Sequence, residues 1–208
     1  MELVLIGAGG HSRSCVDVAE SAGWKIAGFI SPNEGDLLYG YPRLGDDAWL
    51  WSWDIPEHVC CLIAVGQVKA ATLRRQLYQL LRQKHIPLAT VISSHAYVSK
   101  YAVVAEGSIV MHGAVINASA TVAENCIINS QALVEHDVTI GAHTHISTGT
   151  RINGGVSLGS GVMLGSGSVI LPGIHIADDV IIGAGSVITR DIYDPASLWY
   201  GSPARKIK

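Results

Sequence analysis

From Ile92 onward an aliphatic residue recurs at every sixth position without a slip. The series runs Ile92, Val98, Val104, Val110, Ile116, Val122, Ile128, Val134, Ile140, Ile146, Ile152, Leu158, Leu164, Ile170, Ile176, Ile182 and Ile188. A six-residue period fits neither the 3.6-residue helix nor the two-residue strand, so it marks a tertiary repeat. Two places before the aliphatic residue the side chain is usually small, as at Ala96, Ala114, Cys126, Thr144 and Ser168. A small residue, any residue, an aliphatic residue and then a turn describe one wall of a three-sided parallel β-helix, with three hexads to a coil. With the aliphatic residue numbered 0, positions 0 and −2 point into the coil. Positions −1 and +1 point outward from the flat wall, and +2 and +3 form the corner.

Residues 1–90 follow a different pattern. Residues 3–6 read as a buried strand that ends in Gly7-Ala8-Gly9-Gly10-His11, with a helix over about 12–22. A second strand over 26–30 runs into the turn Ser31-Pro32-Asn33, and a third over 60–65 ends at Gly66. A second helix is expected over about 69–84, with Leu73, Leu77, Leu80 and Leu81 on one stripe. This alternation predicts a small Rossmann-like α/β domain with a parallel sheet. The chain thus divides into that domain (1–90), an all-β parallel β-helix (91–191) and a tail (192–208). The tail is expected to cap the open coil edge, which would otherwise invite pairing with another chain. Trp49, Trp51 and Trp53 alternate like a strand face and are read as a core or interdomain contact.

Composition narrows the function classes. A net charge of −3 with 15% charged residues leaves no basic surface for nucleic acid. Apolar runs are strand-sized and broken by glycine, so no membrane span is expected. Four cysteines without a paired framework and an N-terminus that begins directly with a strand fit a cytoplasmic protein.

The turn between first strand and first helix is rich in glycine, which lets backbone amides approach a phosphate at a helix N-terminus. The dinucleotide pattern is incomplete, because Ser12 stands at its third glycine. No acid follows the second strand to hold a ribose, since Ser31 and Pro32 stand there. NAD is therefore not expected, and another nucleotide diphosphate is the preferred reading over a purely structural turn.

Nine histidines include four read as surface residues, His85, His95, His112 and His175. His136 lies at a +2 corner, with Ala118 one coil before and Gly154 one coil after. Coils stack at the strand spacing of ~4.8 Å, so an imidazole there stands beside two nearly bare positions, in a groove along the helix axis. Its neighbours Glu135 and Asp137 can orient the ring and raise its basicity. His136 is then either a catalytic base or a solvated corner residue. His145 occupies a −1 position on the next wall, and Asn129 lies on that wall one coil earlier. His143 and His145 have the look of a metal pair, but no third ligand is close by in sequence, and no metal is expected. Cys126 points inward as packing.

These motifs resemble those of the left-handed β-helix acyltransferases, which break the usual right-handed crossover rule. Within them, GAGGH at 7–11, AVG at 64–66, NSQALVEHD at 129–137, GAHTHIS at 141–147, SVILPGIHIADD at 168–179 and YGSPA at 200–204 resemble one group more specifically. That group is the bacterial sugar acyltransferases, which include bacillosamine-type nucleotide-amino-sugar N-acetyltransferases and sialic-acid O-acetyltransferases. The resemblance implies His136 as general base, Asp137 as its acidic partner and the Gly154 amide as donor to the thioester oxyanion. It implies Asn129 near the acceptor sugar and His145, Ser166 and Ala184 in contact with acetyl-CoA. Gly9, Gly10, His11, Ser31 and Gly66 fall in its nucleotide-sugar site, with Ser31-Pro32 departing from the acids of uridine-binding relatives. It further implies a homotrimer with active sites between subunits.

The expected activity is acetyl transfer from acetyl-CoA to the 4-amino group of a dTDP- or UDP-linked 4-amino-4,6-dideoxy sugar, in glycan biosynthesis. O-acetylation of sialic acid or a related hydroxyl is the alternative. A γ-type carbonic anhydrase-like zinc protein is a third reading, against which the N-terminal nucleotide domain speaks.

Overall fold

The computed structural model of the chain describes residues 1–207 except 36, 47, 49, 51–55, 57 and 69. The tryptophan strand expected at Trp49, Trp51 and Trp53 lies outside the described residues. The N-terminal part holds β1 (Glu2–Ile6), α1 (Gly10–Ser21), β2 (Lys25–Ile30), β3 (Arg43–Gly45), β4 (Val59–Ile63) and α2 (Thr72–Gln83). The four strands form one parallel sheet in the order β3-β2-β1-β4. Alternate residues of β1 serve opposite faces: Leu3 and Leu5 pack with α1, whereas Val4 and Ile6 pack with α2.

The stripe expected on α2 needs correction. Leu80 and Leu81 are buried, but Leu73 is exposed and Arg74 is fully buried in its stead. The helix turns a cation inward because carbonyl groups there accept from it, a contact described below.

From β5 (Val91–Ile92) to β21 (Val187–Ile188) the chain makes two-residue strands, each centred on a −1 and a 0 position. Residues 18 apart pair in parallel, as in Ile127 with His145 and Leu133 with Arg151. Every third strand therefore falls on the same wall, and three walls result. The interior is a column of position-0 aliphatics and small −2 residues, including Ala114, Cys126 and Ala132. The tail forms a hairpin, β22 (Leu198–Gly201) and β23 (Ala204–Lys206), that extends one wall and lays Trp199 on the end of the column.

Corner geometry explains the residue choice at position +3. Ser119, Asn125, Gln131, Asp137, His143 and Asp179 have positive φ there, as do Gly107, Gly149, Gly155, Gly161 and Gly167. In that conformation the +3 amide reaches the carbonyl of the preceding coil, as Gly155 donates to His136 O at 3.0 Å. Glycine and asparagine tolerate this region, whereas a β-carbon ordinarily costs ~1–2 kcal/mol.

The three walls differ outside. The first carries Val91, Ile109, Ile127 and His145 at position −1, all buried beneath α1 and the N-terminal sheet. Outward-pointing residues on this part of the wall are therefore covered, whereas Met163 and Ile181 farther along it are only partly buried. The second carries Tyr97, Val115, Leu133, Arg151, Val169 and Val187, and the third Val103, Thr121, Thr139, Ser157 and His175. Gly149 has φ 66° with nothing within 4 Å of an added β-carbon, so substitution there reports backbone strain alone. Gly149→Ala is expected to lose about 1–2 kcal/mol, with Gly149→Asn losing less. Denaturant unfolding checks this; an alanine variant as stable as the parent contradicts the corner requirement.

Candidate active site

The carboxyl ends of β1, β2 and β4 open into a cleft of about 580 Å³. Gly7, Gly9, Gly10 and His11 line it from the first turn, Ser31, Pro32 and Asn33 from the second, and Ala64, Val65 and Gly66 from the third. α1 begins at Gly10 with Gly9 as its N-cap and no side chain capping it, so its first amides face the cleft mouth. Neither Gly9 nor Gly10 has any atom within 4 Å of an added β-carbon, so a ligand can approach the backbone closely. Gly66 instead presses on His11, where an added β-carbon would lie 3.2 Å from the His11 Cβ. Among the described residues the cleft lining contains no carboxylate.

Behind the cleft lies a buried polar cluster between the domains. His145 Nδ1 lies 2.7 Å from the Gln67 carbonyl oxygen, and its Nε2 lies 3.1 Å from Asn129 Nδ2. A carbonyl only accepts, so Nδ1 carries the proton and Nε2 accepts from Asn129. Burial, with Arg74 a lesser cause, pulls His145 down to about 4 and His11 to about 3. Both rings are neutral at pH 7. Arg74 donates to Ile63 O, Val65 O, Asn125 O and Asn125 Oδ1, and remains charged although burial lowers it to about 10. His143 sits at a left-handed corner, bonded through Nδ1 to Asn125 and edge-on to Tyr78. His143 and His145 thus engage different partners and do not pair.

His136 projects from the corner after the second wall, with its side chain 64% exposed. Its Nδ1 lies 2.8 Å from Asp137 Oδ2, and this hydrogen bond, ahead of the Asp137 and Glu135 charges, raises its pKa above the ordinary value. Asp137 is at the left-handed corner position, φ 60°, which turns its carboxylate back to the ring. The imidazole lies across Gly154: a β-carbon there would come within 2.7 Å of both Cε1 and Nε2. Among the described residues the Gly154 amide has no hydrogen-bond acceptor within the chain. Glu135 is tied instead to Asn117 at 2.9 Å.

Ser166 and Ala184 are exposed at the corner after the first wall, stacked one coil apart. Ser166 Oγ lies 2.9 Å from Ser147 Oγ, and the Tyr200 ring occupies the space beside Gly183. The candidate residues therefore gather in three places: Gly9, Gly10, His11, Ser31 and Gly66 around the cleft, with Asn129 and His145 behind it; His136, Asp137 and Gly154 at one corner; Ser166 and Ala184 at another. The sequence reading missed Arg74, Gln67 and Asn125. The positive-φ pattern of the +3 corners was a usable signal for Asn125; nothing local marks the other two. His112, read as a surface residue, bridges the domains, with Nε2 3.0 Å from Asp17 Oδ2 and Nδ1 2.6 Å from Ser93 Oγ.

The two buried histidines make stability pH-dependent. Their folded pKa values lie below the ordinary 6.5, so their contribution is present above 6.5 and is lost as pH falls toward about 4. His136 works in the opposite sense, its contribution fading as pH rises through its raised value. Denaturation midpoints are expected to drop from pH 7 to pH 5, and less so in a His11→Asn, His145→Asn double variant. In NMR titrations His136 is expected to titrate above 6.5 while His145 stays neutral at pH 5; a His145 titrating near 6.5 contradicts this geometry.

The family models that match are the PglD N-terminal domain, over residues 2–81, and the bacterial transferase hexapeptide (six repeats), over residues 155–190. No curated protein matches the chain. Among solved structures it is similar to the acetyltransferase domain of PglB from Neisseria gonorrhoeae FA1090 in complex with acetyl coenzyme A. That match has 30% identity over 99% of this chain and 98% of the other, with a TM-score of 0.92. PerB from Caulobacter crescentus, in complex with CoA and GDP-perosamine, is 32% identical over 100% and 98% of the two chains, with a TM-score of 0.91. A mutant of perosamine N-acetyltransferase from Caulobacter crescentus, with the same two ligands, is 31% identical over 100% and 97%, with a TM-score of 0.93. With its glycine-turn domain, its hexad coil and relatives that match it end to end, the chain is an acyltransferase belonging to the left-handed β-helix sugar N-acetyltransferases.

Proposed function

We propose that this protein transfers an acetyl group from acetyl-CoA to the amino group of a nucleotide-linked 4-amino-4,6-dideoxy sugar, with His136 as general base. The observation that carries this reading is the His136–Asp137 pair laid across Gly154. Asp137 accepts from Nδ1–H, which leaves the Nε2 lone pair directed over the bare glycine. PglB with acetyl coenzyme A and PerB with CoA and GDP-perosamine support the donor and the class of acceptor.

The chemistry follows from these groups. The sugar amine attacks the thioester carbonyl carbon as His136 Nε2 takes its proton. Negative charge develops on the carbonyl oxygen, for which the Gly154 amide is a ready donor. The C–S bond then breaks, and the imidazolium returns the proton to the departing thiolate. No serine or cysteine need become acylated. The nucleotide diphosphate would lie in the cleft at the start of α1, where Gly9 and Gly10 leave amides open. The base would rest near Ser31, Pro32 and Asn33, none of them acidic, which leaves thymidine, uridine and guanosine as the candidates to compare.

Active sites between copies of the chain fit the placement of these groups. On the second wall Val115, Leu133, Val169 and Val187 point outward on either side of the exposed Arg151, and all four remain partly exposed. The Ser166–Ala184 corner lies along one edge of that wall and the His136–Gly154 corner along the other. A trimer seated on this wall brings one chain's His136 toward a neighbour's Ser166 and Ala184, which the resemblance assigns to acetyl-CoA.

Thiol release from acetyl-CoA with dTDP-, UDP- and GDP-linked 4-amino-4,6-dideoxy sugars, and with free sialic acid, tests the acceptor; activity on sialic acid alone overturns it. His136→Ala is expected to lower kcat by about 10²–10⁴-fold with CoA affinity retained, and full activity in that variant removes His136 as base. In the parent, rate should rise with pH through the His136 titration. Light scattering should give the mass of three chains, and Leu133→Glu should yield monomers with little activity. An active monomer rules out shared sites.

A further inference from the structure

The cleft wall at Ala64, Val65 and Gly66 continues from the end of β4, and among the described residues no strand pairs with the chain from 64 to 67. In an extended segment alternate carbonyls point the same way, and here Ile63, Val65 and Gln67 form one such set. All three are captured by side-chain donors. Arg74 Nη1 donates to Ile63 O and Val65 O, each at 2.7 Å, and His145 Nδ1 donates to Gln67 O at 2.7 Å. On the other side, Ser12 Oγ donates to Ala64 O at 2.9 Å.

Each clamp is anchored at its far end on an asparagine of the β-helix. Arg74 Nη2 donates to Asn125 Oδ1 at 2.6 Å, and Asn125 in turn donates to Arg74 O. His145 Nε2 accepts from Asn129. Among the described residues Arg74, 1% exposed, has no carboxylate partner; carbonyl oxygens and one amide oxygen accept from its Nη1 and Nη2, while its Nε has no partner. A buried guanidinium held only by carbonyls is costly to desolvate, and the return on that cost is a fixed backbone.

We infer that Arg74 and His145 are positioning residues that lock the 63–67 segment of the nucleotide cleft to Asn125 and Asn129 of the β-helix. The cleft wall and Asn129, which the resemblance sets near the acceptor sugar, are then one rigid unit across the domain boundary. This rests on the cleft being the nucleotide site, as proposed above. It also gives His145 a task in holding the acceptor side, separate from the donor contact that the resemblance implies.

The test uses binding and a spectroscopic signature. The protein and the variants His145→Ala, His145→Asn and Arg74→Lys are titrated calorimetrically with dTDP, UDP and GDP, and separately with CoA. His145→Ala is expected to weaken the bound nucleotide about tenfold, the loss of one buried hydrogen bond, whether or not CoA affinity also falls. His145→Asn, whose amide nitrogen can donate from near the Nδ1 position, should recover most of that loss. Arg74→Lys, with one ammonium in place of a fork, should weaken the nucleotide similarly. Unchanged nucleotide affinity in His145→Ala, or a loss confined to CoA, overturns the proposal. Imidazole nitrogen shifts of His145 in the parent protein should report the neutral Nδ1–H form whether or not a nucleotide binds, and an Nε2–H or charged ring also overturns it. A parent that shows the Nδ1–H ring yet binds none of the three nucleotides contradicts the cleft assignment instead, so the two failures are separable.

Discussion

The molecule depends on a backbone condition at the coil corners. Position +3 takes a positive φ, and only then can its amide reach the carbonyl of the coil before it. That bond, with the −1 and +1 amides that bridge the coils, holds the repeat at 18 residues per coil. Once the register is fixed, residues 18 apart must stack, whatever their side chains. His136 over Gly154 and Ser166 over Ala184 are consequences of the same corner geometry that selects glycine, asparagine and aspartate at the position that follows. Asp137 shows the economy of this arrangement. The left-handed conformation that closes the corner also turns its carboxylate onto His136 Nδ1.

The two domains are joined mainly by apolar burial. Val91, Ile109, Met111 and Ile127 enter the same cluster as Leu3, Leu5 and the inner residues of α1. Side chains of this size, fully buried, contribute on the order of 1.5–3 kcal/mol each. The ion pairs at the rim, Arg82 with Glu106 and Arg75 with Asp179, are partly exposed and contribute little by comparison. Apolar contact holds the domains together without fixing their relative position finely. The directional bonds of Arg74, Asn125, His145 and His112 supply that precision, because a hydrogen bond tolerates far less displacement than a hydrophobic contact.

Much of this was legible in the sequence because the β-helix is built from short-range rules. The hexad run assigned the inward residues, the corners and the stacking of His136 with Ala118 and Gly154 from spacing alone. The first wall carried its own signal in retrospect: Val91, Ile109 and Ile127 are aliphatic at −1, where the third wall has Thr121 and Thr139. Arg74 was not legible. An arginine in TLRRQL reads as a solvated helix face, and only distant carbonyls at Ile63 and Val65 and an amide at Asn125 reverse that. Leu73 was misread for the related reason that the helical stripe faces a cleft at one end and a core at the other. His145 was placed correctly on its wall, but its burial depends on a domain that the repeat does not describe.

The exposure of His136 in a single chain bears on how it can act as a base. A base works best with a pKa near the working pH, and two opposed influences set that value here. The Asp137 hydrogen bond raises it, and burial lowers it. In the isolated chain the second influence is weak because the ring is largely solvated, so the Asp137 bond prevails. Seating a second chain on the neighbouring wall would cover the corner, strengthen the desolvation and draw the pKa back toward neutrality. The same step would exclude water from the thioester and make the Gly154 amide a stronger donor, since an electrostatic contact gains as the local dielectric falls. On this reading a basic, exposed histidine pair is the form of the site suited to completion by a neighbour, and assembly tunes the base as well as building the groove.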